Sequence, residues 1–252
     1  MIDLRGVRCG YGAREVLRGL DCRFAAGEFV SIAGPNGAGK STLLSLIAGL
    51  RDAFTGECLI AEKPLASWPR REFARIVSFV PQSVRIEFPF TAREVVLMGR
   101  APHTGWAGES PDDAKHVDDA MQRTDSFEFA QRDFRSLSGG EKQRVLLAAA
   151  FAQSGKILIL DEPATFLDIE HQRLIYRLLR DLAASGVLVL AATHDLNLAA
   201  AYSSRVLLLK DGVIAGDGAP SSVFSAQLLQ DVFHVPAVIE QRDGRTWVRH
   251  VD

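Results

Sequence analysis

The sequence predicts an α/β fold with a mostly parallel sheet, a small antiparallel β layer at the N-terminus and an inserted helical subdomain. Three observations carry that expectation. Short apolar runs rich in Val, Ile and Leu alternate with helical patterns through most of the chain, as they do where crossover helices cover a parallel sheet. The first 28 residues break the alternation with two strand-like runs around glycines. Between Pro81 and Arg135 the pattern changes again, to helical segments among four of the ten prolines (Pro81, Pro89, Pro102 and Pro111).

Taken in order, residues 2–8 and 16–24, broken by Gly10-Tyr11-Gly12, predict the antiparallel layer. Buried strands are expected at Phe29–Ala33, 76–80, Ile157–Asp161, 187–193 and 206–210, where near-continuous apolarity fits strands covered on both faces. Helices are expected at 40–50, Gly139–Gln153, Ile169–Ala184 and 195–202. The insert should hold two more, near 92–99 and 112–123, with Thr91 and Glu94 at capping-box spacing before the first. The chain reads as one domain over 1–252, its core formed by 1–80 and 136–252 and its insert by 81–135.

Composition narrows the class. Hydrophobic residues are 47% and charged residues 24% of the 252, which excludes a disordered chain. The net charge of −2 gives no basic field to hold nucleic acid. Cys9, Cys22 and Cys58 include no C-x-x-C pair, so a disulfide scaffold or zinc ribbon is not expected. The longest apolar runs fall short of the roughly 20 residues of a membrane span, and the N-terminus lacks a signal-peptide layout. A soluble cytoplasmic protein is expected.

Gly34-Pro35-Asn36-Gly37-Ala38-Gly39-Lys40-Ser41-Thr42 follows the first buried strand and opens a helix. It matches G-x-x-x-x-G-K-[ST] in the strand–loop–helix setting that motif needs. Glycines let consecutive N–H groups turn toward phosphate oxygens, and the helix N-terminus adds partial positive charge at the same spot. Lys40 brings a full charge to the outer phosphates, and the Ser41 hydroxyl can ligate Mg²⁺. The fold is thus expected to be a P-loop NTPase core. Downstream, the strand Ile157–Asp161 ends in Asp161-Glu162-Pro163. Parallel strands deliver ligand-binding residues at their carboxyl ends, so Asp161 is a candidate for the metal and Glu162 for the general base that polarises water.

A second glycine motif, Leu137-Ser138-Gly139-Gly140-Glu141, precedes a long helix. Ser138 and Glu141 alone make a capping box, but two glycines in a first helical turn cost roughly 1 kcal/mol each against alanine. That cost makes sense if a ligand must approach the backbone closely. Lying between the phosphate loop and the acidic strand, this motif resembles the signature of the ATP-binding cassette transporter ATPases, and the resemblance covers essentially the whole chain.

The resemblance implies roles for further residues. Tyr11 matches the aromatic residue that stacks on adenine, although a turn tyrosine would read the same way. Gln82 matches the glutamine that senses Mg²⁺ and γ-phosphate, and His194 the switch histidine that contacts γ-phosphate. Asp168 matches the aspartate of the loop at the dimer interface, and it can cap the following helix as well. The family pairs two such subunits, so Ser138, Gly139 and Gly140 of one copy would complete the ATP site of the other. Partners implied are a second copy of the chain, transmembrane permease subunits and, indirectly, a periplasmic or extracellular substrate-binding protein, with the subunit peripheral on the cytoplasmic membrane face.

The stretches 91–103, 163–169, 193–199 and 211–218 resemble the branch that imports iron-siderophores, haem and cobalamin. Phe88, Phe90, Val95 and Met98 offer apolar side chains for a groove that would receive a permease helix. The other reading is a soluble cassette ATPase of an iron–sulfur cluster assembly scaffold.

Overall fold

Strand Ile2–Tyr11 pairs antiparallel with Arg14–Phe24 on one side and Phe54–Ile60 on the other, and Lys63–Pro64 extends this sheet. This is a computed structural model that describes residues 1–12, 14–104, 109–242 and 244–250. The chain divides into two units, Met1–Trp68 with Arg180–Asp252, and Pro69–Leu179.

In the first unit, Phe29–Ala33 lies between Leu188–Ala192 and Arg205–Lys210 and is parallel to both; Val213–Gly218 adds an antiparallel edge. Every residue of Phe29–Ala33 and of Leu188–Ala192 is buried, as the continuous apolarity of both runs requires. The helices Lys40–Ile47, Leu196–Tyr202, Pro220–Val223 and Ala226–Phe233 and the hairpin Ala237–Arg242/Arg245–His250 belong to the same unit. Leu196, Val206, Leu208, Phe224, Leu229 and Val248 share one apolar core there. Asn197 fastens the hairpin: its Nδ2 donates to the Val248 carbonyl at 3.1 Å and its Oδ1 accepts from the Val248 N–H at 2.8 Å.

In the second unit, Val77–Val80 and Ile157–Asp161 are parallel neighbours. The helices Ala92–Met98, Pro111–Arg123 and Gly139–Gln153 pack on one another. Gly99 lets the first approach the third, since a Cβ there would lie 2.1 Å from the Ala149 carbonyl oxygen. Arg100 is buried among these helices and donates to Asp113 and to the Ala152 carbonyl, both at 2.8 Å. The first two of these helices begin in complete capping boxes, Thr91 with Glu94 and Ser110 with Asp113.

Several expectations shift. Gly10 and Tyr11 belong to the first strand, paired with Glu15 and Arg14, so the turn begins only at Gly12, where φ is 56°. The helix expected over 40–50 stops at Ile47, because Ala48 closes it and Gly49 turns left-handed. Asp195 is the N-cap of its helix, with its side chain accepting from the Leu198 N–H. The helix expected at 112–123 starts at Pro111. Val95 is only 3% exposed and belongs to the helical core, whereas Phe88 and Met98 are 70% and 45% exposed. Among the described residues no helix is long and apolar enough to cross a membrane.

Candidate functional site

The phosphate loop leaves the carboxyl end of Phe29–Ala33 and closes on itself. Gly34, Gly37 and Gly39 have φ of 148°, 81° and 105°, conformations that an L side chain rarely adopts. Two of the three also lack room for a side chain. A Cβ on Gly34 would sit 2.2 Å from the Leu209 carbonyl oxygen, and one on Gly39 2.8 Å from Leu17 Cδ2. Lys40, 7% exposed, folds back across the loop, its Nζ donating to the Gly34 carbonyl at 2.7 Å and the Pro35 carbonyl at 3.1 Å. A fixed ammonium thus lies beside the N–H groups that the first turn of a helix leaves without intrahelical acceptors. Ser41 and Thr42 are in that first turn.

Two more predicted residues lie in the same unit. Ile32 and Ala192 are register partners in parallel strands, so His194 emerges at the sheet end from which the phosphate loop leaves. The backbone around it is braced: the Asp195 N–H donates to Thr193 Oγ1 at 3.0 Å, and Asp195 Oδ1 accepts from Leu198 at 2.9 Å. Tyr11 is 55% exposed, with the Arg51 guanidinium carbon 3.8 Å from its ring centroid. One face of the ring is therefore already stacked by a cation, a contact that sequence reasoning missed because no local spacing links residues 11 and 51.

In the second unit, Val80 and Leu160 are register partners, so Gln82 and Glu162 leave neighbouring strands at the same end. The structure joins them: Gln82 Nε2 donates to Glu162 Oε2 at 3.0 Å. Thr165 Oγ1 donates to the same carboxylate oxygen at 3.2 Å, a contact the sequence signalled only as a hydroxyl three residues on. Asp161 ends its strand 6% exposed. Glu162 takes φ of 55°, a left-handed conformation that turns the chain sharply behind the strand. Gln143 steadies this turn by donating to the Pro163 carbonyl at 3.2 Å.

Ser138 caps the helix Gly139–Gln153 in the expected capping box. Its backbone N–H is the first cause, and its hydroxyl the second, that holds the Glu141 carboxyl below the ordinary range. The glycine pair has a reason inside the fold as well. A Cβ on Gly139 would lie 3.3 Å from Phe166 Cβ, and one on Gly140 3.0 Å from the Phe166 carbonyl oxygen. Phe166 itself has φ of 69° and is 70% exposed. Ser138, Gly139 and Gly140 line a cavity of about 430 Å³ together with Arg144, Asp168 and His171. Asp168 caps the following helix by accepting from the His171 N–H at 2.9 Å, and that bond is the first cause of its lowered carboxyl pKa.

A strand leading into a glycine loop, a lysine bonded across that loop and a helix opening behind it define a P-loop nucleotide-binding domain. The sequence profile of the ABC transporter family matches residues 17–165. The chain belongs to that family and is an ABC ATPase domain. It is 45% identical over 236 residues to the hemin import ATP-binding protein HmuV of Streptomyces coelicolor, covering 93% of this chain and 83% of that protein. The cobalamin import ATP-binding protein BtuD of Halobacterium salinarum is 42% identical over 92% of this chain and 58% of its own length. Among solved structures, an inward-facing ABC transporter described as metal-chelate type superposes with a TM-score of 0.83 at 28% identity, over 99% of this chain and 96% of that one. A dimeric ATP-binding cassette bound to ADP and Pi superposes with a TM-score of 0.77 at 30% identity, over 87% of this chain and 99% of that one.

Proposed function

We propose that this ATPase works as a homodimer beneath a transmembrane permease and drives uptake of haem or a related metal chelate, an iron-siderophore or cobalamin. The observation that carries the coupling is the bond from Gln82 to Glu162. It ties the candidate base to the segment that runs on to exposed Phe88, whose ring centroid is 6.2 Å from that of Phe90. A permease helix seated against that segment would move Gln82 and so alter the environment of Glu162. The cargo reading is supported by relatives that import hemin and cobalamin.

In this reading Lys40 and the loop N–H groups bind the phosphates of ATP, and Tyr11 stacks on the base. Glu162 takes a proton from the attacking water, and Gln82 and Thr165 hold that carboxylate in place. His194 contacts the γ-phosphate. Ser138 and Gly140 reach the partner's nucleotide, and Asp168 lies at the interface. Ser41, Gln82 and Asp161 offer hydroxyl, amide and carboxylate oxygens, the hard donors that Mg²⁺ prefers. Among the described residues no group of three or more His, Cys, Asp and Glu side chains could hold a metal. With ATP bound, such an ion would be held largely by phosphate oxygens and water, where it would neutralise developing charge. A periplasmic or extracellular substrate-binding protein would deliver the cargo to the permease.

The test is uptake by proteoliposomes containing the chain and its permease. Haem should accumulate only with ATP, and Phe88→Asp should abolish co-purification with the permease while leaving hydrolysis by the isolated subunit intact. Unchanged assembly and uptake in Phe88→Asp would remove this surface. Assembly with a soluble iron–sulfur scaffold in place of a permease would overturn the importer reading.

A further inference from the structure

Asp168, His171, Asp125 and Arg144 form one continuous run of polar contacts beside the signature glycines. His171 Nδ1 lies 2.8 Å from Asp168 Oδ1, and its other ring nitrogen, Nε2, lies 3.4 Å from Asp125 Oδ2. The same Asp125 oxygen accepts from Arg144 Nη1 at 2.8 Å, and Arg144 also donates to the Asp125 backbone carbonyl. Three stretches distant in sequence meet here: the start of helix Ile169–Ala184 with the loop before it, the turn after helix Pro111–Arg123, and the helix that Ser138 caps.

Capping does not account for this arrangement. The helix at Ile169 needs only the bond from the His171 backbone N–H to Asp168. The ring contacts are additional, and the turn that supplies Asp125 is held in a costly conformation, with φ of 52°. Such backbone persists only where its surroundings over-determine it. Arg144 supplies that constraint from a buried position, 8% exposed, with its guanidinium carbon 4.9 Å from the Phe129 ring centroid. Arg144, Asp168 and His171 line the same cavity as Ser138, Gly139 and Gly140.

We propose that His171 is a positioning residue that couples Asp168 to the helix bearing the signature motif. Pressure from a second copy on the loop at Asp168 is then felt at Ser138 and Gly140 through Asp125 and Arg144. The inference rests on the homodimer reading above and adds to it the route by which two elements of one subunit respond together.

The experiment uses the full chain carrying Glu162→Gln, with ATP-dependent dimerisation followed by light scattering. This parent should dimerise; if it does not, the homodimer reading fails and this coupling with it. Adding His171→Ala should raise the ATP concentration at the dimerisation midpoint about tenfold, within the ordinary range of coupling between sites. Asp125→Gly, which accepts the left-handed backbone without strain, should produce the same displacement from the far end of the run. Because the two residues act through one connection, the double variant should shift no further than either single one. His171→Asn keeps a donor near the Nδ1 position but cannot reach Asp125, so it should behave like His171→Ala. Full rescue by His171→Asn would reduce His171 to a local brace of Asp168 and overturn the coupling. Parental midpoints in both His171→Ala and Asp125→Gly would overturn it as well.

Discussion

Replacing Gly34 with alanine tests how tightly the phosphate loop is built. The added Cβ would lie 2.2 Å from the Leu209 carbonyl oxygen and 3.2 Å from its carbon. An unstrained carbon–oxygen contact needs about 3.3 Å, so the loop or the strand Arg205–Lys210 must yield by roughly 1 Å. Leu209 is fully buried in a strand that pairs on both sides, so most of the displacement falls on the loop. Overpacking of this kind costs about 1–3 kcal/mol. For a chain of this length that lowers the melting temperature by about 5 °C at the middle of the range. The larger effect is on turnover, because a shift of about 1 Å in groups that position a reacting phosphate costs on the order of 10²-fold. Thermal melting and steady-state ATP hydrolysis, measured on the same preparation, check both numbers. A Gly34→Ala protein with parental melting and turnover would refute the argument that the Leu209 carbonyl sets the loop.

Other expected outcomes follow from the same structure. Glu162→Gln should keep ATP binding and lower hydrolysis by about 10²–10⁴-fold, the usual share of a general base; a parental rate would remove Glu162 from that role. Gly140→Ala gains roughly 1 kcal/mol of helix propensity but meets the Phe166 carbonyl at 3.0 Å. Its melting temperature should therefore stay near that of the parent while hydrolysis at low protein concentration falls; equal loss of both would place the glycine's role in folding alone. Asp113 is held at about 2 against an ordinary 3.8, first by the Ser110 hydroxyl and then by Arg100. Its folded pKa lies below the unfolded one, so its contribution is complete above pH 3.8 and is lost as pH falls toward 2. Ser110→Ala should accordingly move the acid-unfolding midpoint to higher pH, and an unmoved midpoint would count against the capping box as its source.

Local chemistry made part of this molecule legible in the sequence. The phosphate loop declares itself because lysine, hydroxyl and glycines stand at fixed spacing after an apolar strand. The capping boxes at Thr91 and Ser138 were readable because their partners are three residues away. In the sequence the glycine pair signals room for a ligand, whereas the structure adds Phe166, whose close approach depends on a left-handed φ that no residue type announces. Contacts between distant residues, such as Arg51 on Tyr11 or Arg144 with Asp125, leave no local trace. Strand Phe54–Ile60 escaped notice because Gly56 and a polar first half disguise its period. The hairpin Ala237–Arg242/Arg245–His250 escaped because its strands are mixed in polarity and depend on Asn197 to hold them.

The left-handed backbone at Glu162 has a consequence for how this chain can vary. A residue with a Cβ at φ of 55° gives up about 1–2 kcal/mol relative to glycine in the same conformation. Glu162→Gly relieves that strain but adds glycine's chain entropy and loses the carboxylate that Gln82 and Thr165 hold, so it should melt close to the parent. Mutational libraries screened for thermal resistance alone would tolerate that inactive variant, and those screened for turnover would eliminate it. Position 162 is one at which activity demands a residue that stability alone does not.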